Sequence, residues 1–150
     1  MNHFQMSLVD YDFPYDSKLD DIKIVEFYID GKPLIELLGD CRHLGNISND
    51  LDFCDLSQRN YISQLLGQKL FINGLASTRL VLYSCHCACD HCGIFSTEII
   101  VGDQTVEWKL IAWEYTEYQT VFEPAINLTF SKSQYFEAIK QYCEQTGIVL

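Results

Sequence analysis

The stretch from 79 to 115 constrains the fold more than any other. "RLVLYSC" (79–85) and "GIFSTEIIV" (93–101) are apolar, β-branched runs of strand length. "GDQ" (102–104) is a turn, and "TVEWKLIAWEY" (105–115) follows it. In that last run Val106, Trp108, Leu110 and Ala112 alternate with Glu107 and Lys109. The alternation predicts one face in the core, with Trp108 buried, and one face in water. Three such strands in succession predict an antiparallel meander.

Other segments add to it. "IKIVEFYID" (22–30) reads as a strand, and its apolar residues do not keep to one face, which suits a sheet covered on both sides. Asp30-Gly31 is a turn signal that joins this strand to a second short strand, or to a helical turn ending at Gly39. "DLSQRNYISQLLGQ" (55–68) places Leu56, Tyr61, Ile62, Leu65 and Leu66 near one helical face, with Asp55 as N-cap and Gly67 at the end. "INLTF" (126–130) is a further strand. "SKSQYFEAIKQYCEQTG" (131–147) is a helix with a capping box of Ser131 and Gln134, an apolar face of Tyr135, Phe136, Ile139, Tyr142 and Cys143, and a stop at Gly147. Residues 1–20 lack periodicity and read as an irregular arm. The expected architecture is α+β: an antiparallel meander sheet with helices packed on one side. With 150 residues, 48% of them hydrophobic, the chain suits a single domain with one core.

"CHCACDHCG" (85–93) holds four cysteines and two histidines in nine positions. Zinc is one reading, with Cys85, Cys87 and Cys92 as ligands and Cys89 or His91 as the fourth. Against it, the second closely spaced pair of a structural zinc site is missing. Thiol redox is another, because Cys89-Asp90-His91-Cys92 has the C-x-x-C form. Its context is a strand rather than a helix N-terminus, and acids surround it. The third reading is structural: small, buried sulfur side chains at a tight turn.

The same stretch resembles a large group of uncharacterised small bacterial proteins. The shared pattern is a strand, then C-x-C-G/A and a later cysteine, carried here by Cys85, Cys87, Ala88 and Cys92. A V-x-W strand follows (Val106, Trp108), then a helix start at Phe130 and Tyr135, while "IDGKPLIELL" matches upstream. Cys89, His86 and His91 are additions to that pattern, and Ala88 stands where glycine is usual. The resemblance implies a shared fold and carries over no catalytic residue.

The formal net charge is −11. That argues against nucleic acid, whose phosphates need clustered Lys and Arg, and against anionic membranes. The start of the chain has no signal-peptide pattern, and the odd count of seven cysteines shows no secreted framework, so a bacterial cytoplasmic protein with reduced thiols is expected. No nucleophile elbow, phosphate loop or dinucleotide fingerprint occurs. Glu114, Glu117 and Glu123 could be a glycosidase pair, but a solvated strand end is the simpler reading.

These traits suit a binder, in particular an immunity protein neutralising a basic toxin. Its acidic candidates are Asp10, Asp12, Asp16, Asp20 and Asp21 in the arm, Asp50, Asp52 and Asp55 before and at the first long helix, and Glu114, Glu117 and Glu123 after the third meander strand. The bland alternative is that such charges only keep the chain in solution.

Overall fold

The computed structural model describes residues 1–10, 23–39, 55–70, 72–84, 92–115 and 125–150. Its elements run β1 (Phe4–Asp10), β2 (Lys23–Ile29), β3 (Lys32–Pro33), α1 (Leu34–Leu37), α2 (Asp55–Leu65), β4 (Leu80–Tyr83), β5 (Ile94–Val101), β6 (Thr105–Glu114), β7 (Ile126–Ser131) and α3 (Lys132–Thr146). They form two antiparallel sheets, β1-β2-β3 and β4-β5-β6-β7. The fold is the expected α+β arrangement, with the predicted meander as β4, β5 and β6. Among the described residues no helix is long and apolar enough to cross a membrane.

The arm is the first correction. Phe4–Asp10 is a strand, paired antiparallel with β2 from Phe4↔Ile29 to Asp10↔Lys23. Only Phe4 and Met6 are buried along it, too few to show a period in the sequence. The start of the chain is tied down on both sides. Asn2 donates its backbone N–H to the Thr129 carbonyl (2.7 Å), joining the two sheets by a parallel bridge to β7. The Asp30 carboxylate accepts from the Asn2 amide (2.8 Å) and from the His3 N–H (2.7 Å). These bonds hold the Asp30 carboxyl below its ordinary range. Asp30 and Gly31 both have positive φ, 54° and 82°, the pair a tight primed hairpin turn requires. The turn leads into both elements it could introduce, β3 and then α1.

The second correction concerns β6. Leu110 is 41% exposed, and Ile111 is buried instead. On the β5 side the pairing steps from Ser96↔Ala112 to Glu98↔Lys109. On the β7 side it steps from Trp108↔Leu128 to Ile111↔Ile126. Both steps insert one extra residue into β6, a β-bulge that switches which residues face the core. Leu110 sits there at φ 52°. Its N–H donates to Asn127 Oδ1 (2.9 Å), and its carbonyl accepts from the Arg79 guanidinium. The bulge therefore exists because side chains from β7 and from the start of β4 satisfy its backbone.

Trp108 is fully buried at the centre of the core. Its ring meets Phe4, Phe27 and Phe130 edge-on at centroid distances of 5.4, 5.6 and 5.6 Å. Its indole N–H donates to Tyr135 Oη (3.1 Å), whose own O–H donates to the Leu65 carbonyl (3.0 Å). That chain links the sheet to α3 and α2, so both helices lie over the Trp108 face. Burial pushes the Tyr135 phenol well above its ordinary pKa.

In α2, Tyr61, Ile62 and Leu65 are buried as expected, but Leu56 is exposed in the first turn, ahead of the packed stretch. Gly67 (φ 70°) ends it in a Schellman turn, with Gln68 N–H on Ser63 O and Gly67 N–H on Gln64 O. Gly147 ends α3 in the same left-handed conformation. The Ser131–Gln134 capping box does not form. Gln134 instead uses its amide on β1, accepting from Phe4 N–H (3.0 Å) and donating to Phe4 O (2.6 Å).

Gly93, where β5 begins, has φ 97°, and a Cβ there would lie 2.1 Å from Trp113 Cζ2. Gly93→Ala is expected to destabilise by roughly 1–3 kcal/mol or more, from overpacking and from an alanine at positive φ. A urea midpoint equal to wild type would contradict the Trp113 packing.

Candidate functional site

The meander's open side carries a groove of about 810 Å³ beneath the loop that follows α2, with Lys69, Arg79, Glu98 and Glu114 among its lining residues. The loop "NGLAST" holds its own shape through Asn73. The Asn73 carboxamide oxygen accepts from Leu75 N–H (2.9 Å) and Ser77 N–H (3.2 Å), and its amide donates to Arg79 O (3.1 Å). This delivers Arg79 to the edge of β4. The guanidinium donates to Ser96 Oγ (2.9 Å) and Ser96 O (2.8 Å), as well as to Leu110 O. Partial burial lowers the Arg79 pKa, and the nearby carboxylates of Glu114 and Glu98 oppose that shift.

Glu114 was expected on a solvated strand end; it is instead 4% exposed. The residue lies past the bulge, on the side of β6 that Ser96 and Asn73 cover. Its Oε1 is 3.5 Å from Ser96 Oγ and 3.4 Å from Asn73 Nδ2, long contacts that leave Arg79 as the nearby charge of opposite sign. Glu114 therefore stands apart from the surface acids.

The other described candidates are on the surface. Asp10 is exposed and paired with Lys23, and Asp55 is exposed in the first turn of α2, where a negative charge suits the helix dipole. Cys92 is exposed ahead of β5. Asp12, Asp16, Asp20, Asp21, Asp50, Asp52, Glu117 and Glu123 lie outside the described residues, as do Cys85, Cys87, Cys89 and His91. Among the described residues no three His, Cys, Asp or Glu side chains gather where they could hold a metal.

One buried acid went unread in the sequence. Glu26 is 3% exposed in β2; its carboxylate accepts from Phe27 N–H (2.8 Å) and from the Tyr83 phenol. Burial first, and then the Glu26 charge, push the Tyr83 pKa well up, so this phenol stays a donor. A charge between Val25 and Phe27, in a strand read as covered on both sides, was the available signal. No such signal marked Arg79, because its role depends on the bulge.

The groove can hold polar or mixed-charge surface, and within it the Glu114 and Glu98 carboxylates act on the Arg79 charge. No family model, no curated protein and no solved structure matches the chain.

Proposed function

We propose that the chain is a non-enzymatic binding protein of the bacterial cytoplasm, an immunity protein that neutralises a basic toxin domain by direct contact. The observation that carries this is the charge. The net value is −11, and among the described residues every Asp and Glu except Glu26 and Glu114 is exposed or half-exposed. An acidic surface of this kind raises the encounter rate with a basic partner and disfavours acidic ones. Asp10 and Asp55 are the described members of the proposed contact set.

The test is co-expression with the C-terminal domain of a toxin encoded directly upstream of this chain's gene. Protection of the cells and a complex at low ionic strength are expected. Unprotected cells together with no complex would reject the reading. The density of cysteines at 85–92 favours one competitor, a zinc or thiol-redox role. That competitor requires about one equivalent of bound metal, or a redox-sensitive thiol pair, in the purified protein.

A further inference from the structure

Among the described residues no strand pairs with the outer edge of β1 beyond Phe4. His3 O accepts from Asp30 N–H, so odd-numbered residues of this strand turn their backbone groups toward β2. Even-numbered residues turn theirs away. Asn2 donates its outward N–H to Thr129 O and accepts the Thr129 N–H at its side-chain Oδ1, and Phe4 spends its outward groups on the Gln134 amide. The register with β2 continues without a shift to Asp10. Met6, Leu8 and Asp10 therefore present N–H and C=O groups away from β2, and no described strand pairs with them. Among the described residues the side-chain hydrogen bond along this edge is a 3.4 Å approach of Ser7 Oγ to Leu8 O, within the strand itself. This edge carries neither proline nor lysine, the usual protections of an edge strand.

Against the strand lies a cleft of about 340 Å³, lined by Gln5, Met6 and Ser7 of β1 with Tyr28 of β2 on one wall and by Ala138, Gln141, Tyr142 and Gln145 of α3 on the other. Residues from both faces of β1 line it, as expected of a cleft that runs along a strand's edge. The α3 residues are spaced i, i+3, i+4, i+7, so they form one helical stripe. Two of them carry amides, side chains that can both donate to and accept from a peptide backbone. Gln134, one turn before Ala138 on α3, already does this to Phe4. The chemistry is that of a site for an extended backbone lying between a strand edge and a helix.

The rim sets the charge of the occupant. Glu137 and Glu144 are exposed on α3, with Lys140 between them, and Asp10 is exposed at the far end beside Lys23. Gln141 already donates to Glu137 (3.2 Å), which orients the amide beside a carboxylate. We propose that this cleft binds an extended, basic segment of a partner polypeptide, which adds a strand to β1 at Met6, Leu8 and Asp10. From Met6 to Asp10 the edge spans about 13 Å at ~3.3 Å per residue, enough for a segment of a few residues. The basic character of the partner rests on the function proposed above; the strand-addition geometry does not.

A phage-displayed library of random nine-residue peptides, selected on the intact chain, tests this. Enriched peptides are expected to be rich in Lys or Arg and to bind Leu8→Pro at least tenfold more weakly. That substitution removes an outward N–H and leaves the β1–β2 ladder bonds in place. The double variant Gln141→Ala, Gln145→Ala alters exposed helix positions only and should weaken the same peptides, which keeps the proposal falsifiable if Leu8→Pro misfolds. No enrichment, or peptides that bind wild type and variants equally, would overturn it. A dimer in sedimentation that Leu8→Pro dissolves would also overturn it, assigning the edge to a second copy. Protection in the co-expression assay with no selected peptide would reject the cleft alone.

Discussion

Trp108→Ala is expected to cost about 3–5 kcal/mol, a large share of the ~5–15 kcal/mol that holds a typical domain folded. Trp108 is fully buried: the rings of Phe4, Phe27, Phe130 and Tyr135 all meet it. Alanine leaves a cavity among rings drawn from both sheets and α3, which cannot all close in. It also removes the donor to Tyr135 Oη. Trp108→Phe keeps most of the volume and should cost less, because Tyr135 can still donate to Leu65 O. Urea midpoints for the two variants check the order. An alanine variant within about 1 kcal/mol of wild type would contradict the burial of Trp108.

Arg79→Met is expected to cost about 2–4 kcal/mol, because it strips the compensating charge from a buried carboxylate. Arg79 itself is half-exposed, so its direct attraction to Glu114 is screened by solvent. The larger cost falls on Glu114, which among the described residues keeps long contacts to Asn73 and Ser96. The carbonyls of Ser96 and Leu110 also lose their donor, which loosens the bulge. Arg79→Met combined with Glu114→Gln should recover at least about 1 kcal/mol of that loss, since the uncompensated charge is gone. Strictly additive costs in a double-mutant cycle would contradict the coupling.

The meander, β7 and α3 were legible as elements because each is an apolar run bounded by turn or capping residues, although the side taken by the end of β6 was not. Tyr135, Ile139, Tyr142 and Cys143 face the core as the helical period requires. What stayed hidden depends on partners distant in sequence. Nothing between 105 and 114 marks the bulge, whose supports are Asn127 and Arg79. Gln134 looks like half of a capping box until β1 lies beside it. β1 escaped notice because only Phe4 and Met6 are covered, so polar and apolar residues mix along an edge. Of the acidic candidates, Asp10 and Asp55 stand at the surface. Glu114 does not: past the residue inserted at Leu110 it lies on the side of β6 away from Trp108, and Ser96 and Asn73 cover it there.

The association rate of this chain with the basic toxin domain, measured by stopped flow at rising ionic strength, tests the proposed function most directly. Steering by the acidic surface predicts a rate that falls roughly tenfold or more from low to high salt, while the dissociation rate changes little. A rate insensitive to salt, or no association at low ionic strength, would contradict it.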